Sequence, residues 1–128
     1  MARYTKVISV DKNANLTYAD SDTQQALIAH KRQAIAACRD KVSRRQMEYE
    51  LAQMLISIGN ERDAADALCN IVEGASPKEL RVCEQDNSSS PVAKAFGALR
   101  SLACSHDEYV WETSSQAVSA VLQQLHHE

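Results

Sequence analysis

The residues here that could carry chemistry are Cys38, Cys69, Cys83 and Cys104, together with His30, His106, His126 and His127. A structural zinc site needs four donors delivered as two close pairs. Cys104 and His106 form one such pair, and the terminal His126 and His127 do not supply a second, so the expectation is no metal and no cofactor. The cysteines are scattered through helical text and read as buried, reduced thiols. General acid and base work from one helix would need two carboxylates on one face, whereas Glu48 and Glu50 are two apart and leave on different faces. His30 reads as a partly exposed helix residue. With three glycines the chain carries no loop able to cradle phosphates, of either the Walker or the dinucleotide kind. The expectation is therefore a protein that is not an enzyme.

Two other sets of residues point to binding. Lys31, Arg32, Arg39, Lys41, Arg44 and Arg45 surround a single acid, Asp40, and make a local charge of +5. On one surface they would serve phosphate contacts, but a nucleic-acid footprint usually carries a stronger overall basic bias, so the leading reading is a solvated helix face. Tyr4, Ile8, Tyr109, Val110 and Trp111 are the candidate contacts for a protein partner, because aromatic and apolar side chains contribute most of an interface's energy. The ordinary alternative for Trp111 is a place in its own core.

At 128 residues, with 45% hydrophobic and 24% charged, the chain can fill one ordinary core, and residues 1–128 are expected to form a single helical domain. The net charge of -3 is uneven: residues 1–64 carry +2 and residues 65–128 carry -5. Two chains could therefore attract each other as a homodimer. No run approaches the roughly 18 apolar residues that span a bilayer, and the start "MARYTKVISVDKNANL" lacks a signal peptide's apolar centre, so a cytoplasmic protein with no membrane partner is expected.

The elements that must position these residues are helices, since Gly and Pro are few and Ala, Leu and Gln plentiful. Residues 1–20 form an extended arm or a short β-hairpin, because "RYTKVISV" alternates and "DKNAN" supplies a turn. Ser21 and Gln24 have the spacing of a capping box and start the first helix. Its stripe of Ile28, Ile35, Cys38 and Val42 is out of phase with that of Met47, Leu51, Met54, Leu55 and Ile58. Either the helix breaks near Asp40 to Ser43, where Ser43 and Gln46 repeat the capping signature, or it continues with a bend. Gly59 is suited to close a helix with positive φ and Asn60 to cap the next, whose inner face is Ala64, Leu68, Ile71 and Val72. "SPKEL" starts a short helix at Pro77, and Ser90 with Pro91 starts another, carrying Val92, Phe96, Leu99 and Leu102. Ser105 with Glu108 opens a last segment with Val110, Ala117, Val121, Leu122 and Leu125 inward, open to interruption at "TSSQ". The fold class is all-α, a compact bundle of about five to six helices in αα-hairpins.

In "LAQMLISIGNERDAADAL", the helix after Gly59 carries Glu61, Arg62, Asp63, Asp66 and Glu73, a negative surface that phosphates repel. This disfavours a groove-reading helix-turn-helix. Leu51 followed by Ala52, then Leu55, Gly59, Ala64 and Leu68, resembles one tetratricopeptide repeat, a helical hairpin of about 34 residues. Pro77 falls one place late for that family's closing proline, and Glu48 stands where its first aromatic belongs. The likeness covers residues 48–77, without a second copy, and any tight αα-hairpin needs similar small residues. It implies a protein-binding scaffold of the kind found among small helical chaperones and adaptors. The function expected is protein interaction, with a partner or a second copy, through a helical groove or the N-terminal arm. The alternative is a small nucleic-acid-binding regulator using residues 31–45.

Overall fold

Helix α1, Ser21–Ala37, is capped one residue earlier than expected: Asp20, not Ser21, accepts from the Thr23 N–H at 2.7 Å. Gln24 does reach back, but its amide donates to the Leu16 carbonyl at 2.9 Å. Leu16 is fully buried, and its own N–H donates to Ser57 Oγ at 2.9 Å, fixing the entry to the bundle. The computed structural model describes residues 16–17, 19–84 and 90–126. Most of the expected arm or β-hairpin of residues 1–20, including Tyr4 and Ile8, lies outside them, and at its described end the Ala19 N–H donates to the Leu16 carbonyl at 3.1 Å in a turn, not a strand.

The break between the first two helices falls at Cys38 to Asp40. Helix α2, Lys41–Ser57, is capped by Asp40, whose carboxylate takes both the N–H and the hydroxyl of Ser43. Because the phase changes here, Val42 is not inward as the first stripe would have it but 63% exposed. Gly59 closes α2 at a φ of 82°, the left-handed region that favours glycine. Asn60 then caps α3, Glu61–Glu73, by accepting from the Asp63 N–H at 3.2 Å. Ser76 and Glu79 form the complete capping box of α4, Pro77–Leu80, which runs into a 3₁₀ turn at Arg81–Glu84. Helix α5, Pro91–Leu102, starts at Ser90 with proline in its first turn. Helix α6, Glu108–His126, is continuous through "TSSQ". Its first turn is held by Asp107, which accepts from the Val110 N–H at 3.3 Å, while Ser105 accepts from Asp107 and donates to Glu61.

These six helices form an all-α bundle, largely of antiparallel pairs, with no strand among the described residues. Helix α3 is its centre, packed against α2, α5 and α6. Ala52 and Ala64 are fully buried, and such short side chains let α2 and α3 approach closely around Leu51, Leu55 and Leu68. Phe96, Leu99, Val110 and Val121 complete one continuous core from the second hairpin. Helices α3 and α6 run in the same direction. Near their starts, Arg62 Nε donates to Asp107 at 3.0 Å and the Tyr109 hydroxyl donates to Asp66 at 2.7 Å. Near their ends, Glu73 and Gln124 border a common hollow.

Candidate functional site

That hollow is a cavity of about 530 Å³ between α3 and α6. Its α3 rim is Asp66, Asn70 and Glu73, spaced by four and three residues and so on one helix face. Its α6 rim is Thr113, Gln116, Ala120 and Gln124, and its floor is Cys69, Val72, Leu80, Ala117 and Val121, all buried. Leu80 reaches it from α4, while the Tyr109 to Asp66 hydrogen bond ties the two helices together near their starts.

The cavity is acidic. Asp66 and Glu73 line it, and among the described residues no Lys, Arg or His does. Burial pushes the Cys69 thiol up to about 11, and the charges of Glu73 and Asp66 add to the effect, so this cysteine stays protonated and is no nucleophile at neutral pH. The hydrogen bond to Asp66 raises the Tyr109 phenol as well, and the Arg62 guanidinium lies 5.8 Å from that ring. A second hollow of about 480 Å³ lies across α3, against α1 and α2, and shares Asp66 and Asn70 with the first. Arg32 and Asp63, which both line it, pair at 3.6 Å, and burial raises the carboxyl of Glu48 beside them.

The structure separates the residues that the sequence grouped. Consecutive helical positions diverge by about 100°, so Tyr109, Val110 and Trp111 leave α6 in three directions. Tyr109, 45% exposed, is on the groove side, Val110 is fully buried in the core, and Trp111, 48% exposed, lies on the far flank. Val110 offers no surface to a partner. Trp111 is not a core residue either, and with Val118 and the 42% exposed Leu122 it makes a second, half-covered stripe.

The basic set is also divided. Arg45 is 6% exposed, bonded to Glu79 and to the Gly74 carbonyl, and so is withdrawn from any basic surface. Lys31 pairs with Glu50 at 3.0 Å, Arg32 with Asp63, and Lys41 with Glu79 at 3.7 Å. Arg44 donates to the Cys38 carbonyl, which leaves it and Arg39 on the exposed corner between α1 and α2. Of the cysteines only Cys69 is buried, Cys38 and Cys83 are half-buried and Cys104 is exposed, a correction to the reading of all four as buried thiols.

Sequence reasoning missed Asp66, Glu73, Gln116 and Gln124 as site residues. The signal for the α3 rim was present, since an acidic stripe at helical spacing is visible in the text, but it served there only to disfavour phosphate. Among the described residues, no three or more of His, Cys, Asp and Glu are grouped to hold a metal ion, and no helix is long and apolar enough to cross a membrane. In comparisons with protein-family models, curated proteins and solved structures, no match to this chain was found.

Proposed function

We propose that this chain is a non-catalytic, cytoplasmic protein-binding module, an adaptor or chaperone in type, whose α3/α6 groove receives a segment of a partner chain. The observation that carries the reading is the groove itself: about 530 Å³ with an apolar floor and amide and carboxylate rims along two parallel helices. Such a surface combines apolar area with a few directional polar groups, the mixture that recognises an amphipathic segment. The likeness of the α2/α3 hairpin to a tetratricopeptide unit points the same way. Nucleic acid is the weaker reading, because four of the six basic residues are paired or buried.

The test fills the groove without touching the core. Ala120 is an exposed rim residue, so Ala120→Trp occupies the hollow, whereas Gln123→Trp places the same bulk outside it. Affinity capture from extract of the native cell, followed by size exclusion with light scattering, is expected to yield a complex with the unaltered chain and with Gln123→Trp, and none with Ala120→Trp. Equal recovery with all three chains, or with none, would refute the groove reading.

A further inference from the structure

The groove's charge and spacing narrow what can lie in it. Asp66 and Glu73 are seven residues apart on α3, two helical turns, which places them about 10.5 Å apart along the axis. Glu73 is the last residue of α3 and has no ion-pair partner among the described residues, while Asp66 accepts one hydrogen bond, from Tyr109. Because α3 and α6 run in parallel, both of their C-terminal ends lie towards the Glu73 and Gln124 end of the groove, and the negative ends of two helix dipoles add to the carboxylate there. Among the described residues no lining cation offsets this field. A floor of Val72, Leu80 and Val121 between these charges calls for apolar side chains from the occupant.

We propose that the occupant of the α3/α6 groove is a cationic amphipathic helix whose two Lys or Arg residues, seven positions apart, meet Asp66 and Glu73 while the apolar residues between them cover the floor. The match is one of pitch: a helix lying alongside α3 repeats every 5.4 Å and meets both carboxylates with one face, which an extended strand with its two-residue alternation does not. Anionic ligands, including nucleic acid and acidic lipid, are repelled by the same field. This proposal rests on the groove reading above and goes further by naming the chemistry of the partner segment.

The experiment titrates the full chain with a fluorescein-labelled, alanine-based helical peptide of 17 residues carrying a leucine stripe and two lysines seven positions apart. Two companion peptides replace both lysines by glutamine or by glutamate. The lysine peptide is expected to bind at least tenfold tighter than the glutamine peptide. Asp66→Asn combined with Glu73→Gln abolishes that difference, and high salt shrinks it. Asp66→Lys with Glu73→Lys transfers the preference to the glutamate peptide, a gain that damage to the fold cannot produce. Lysine and glutamine peptides that bind equally, and are both blocked by Ala120→Trp, would overturn the cationic occupant and leave the groove reading standing. Binding of the lysine peptide that Ala120→Trp does not weaken would overturn both. No binding by any of the three peptides overturns the proposal.

Discussion

Arg45 of α2 is buried, and its guanidinium joins two elements beyond its own helix: it bonds the Glu79 carboxylate of α4 and donates to the Gly74 carbonyl, just past α3, at 2.7 Å. The same carboxylate accepts from the Ser76 N–H to complete the capping box, so one ion pair holds the α3/α4 junction against α2. Removing one partner of a fully buried pair costs about 3–5 kcal/mol, and less here because Glu79, 35% exposed, can rehydrate. Arg45→Ala is expected to lose about 2–3 kcal/mol in urea unfolding, and Arg45→Met less, since it keeps the apolar stem. Equal stability of Arg45→Ala and the unaltered chain would remove this junction from the account.

The same pair sets a pH dependence. The hydrogen bond from Arg45 lowers the Glu79 carboxyl from 4.5 to about 2. A carboxyl lowered in the folded state stabilises fully above its unfolded value and loses that contribution as pH falls through the folded one. The urea midpoint should therefore fall between about pH 4.5 and 2. Asp40, lowered by the Ser43 hydroxyl, and Asp107, lowered by Arg62, act in the same direction, so Glu79→Gln is expected to flatten the profile without abolishing its slope.

Two glycines give opposite results for the same added methyl. At Gly59 a Cβ would meet nothing within 4 Å, but the φ of 82° penalises any L side chain, so Gly59→Ala should destabilise by about 1–2 kcal/mol. Gly97 lies in the interior of α5, exposed, with the same open space, and Gly97→Ala should stabilise by about 0.5–1 kcal/mol by restricting the unfolded chain. Thermal melts of both variants check the pair of signs.

Ser114 is fully buried in α6, and its hydroxyl has no hydrogen-bond partner among the described residues. An unmade bond in the core costs about 1–3 kcal/mol, which Ser114→Ala removes at the expense of a small void. A gain of about 1 kcal/mol in unfolding free energy is expected. A loss would mean that the hydroxyl is satisfied in solution.

What could be read from the sequence was local. The Gly59 and Asn60 join, the Ser76 capping box and the α3 core face all depend on neighbours within four residues, and each stands where the text put it. At three other helix starts the capping signature points to Ser21, Ser43 and Ser105, and at each a nearby aspartate, Asp20, Asp40 or Asp107, holds the first turn instead. A charged carboxylate gains from the helix dipole as well as from the hydrogen bond, which a hydroxyl does not. The groove was not legible, because Asp66 and Tyr109 meet across 43 residues of chain and no periodicity within either helix specifies their parallel alignment. For the same reason the adjacency of Tyr109, Val110 and Trp111 suggested a shared surface that helical geometry divides.

Trp111 is the chain's single tryptophan and is half exposed in the folded state, on the flank of α6 away from the groove. The folded protein thus carries its own optical reporter. Its emission should already lie towards the red and change little on unfolding. A helix seated between α3 and α6 leaves the indole in water and its spectrum still. A second copy docking on the stripe of Trp111, Val118 and Leu122 would dry it and shift the emission to the blue. One unlabelled fluorescence titration therefore distinguishes filling of the groove from self-association on the opposite flank of the same helix.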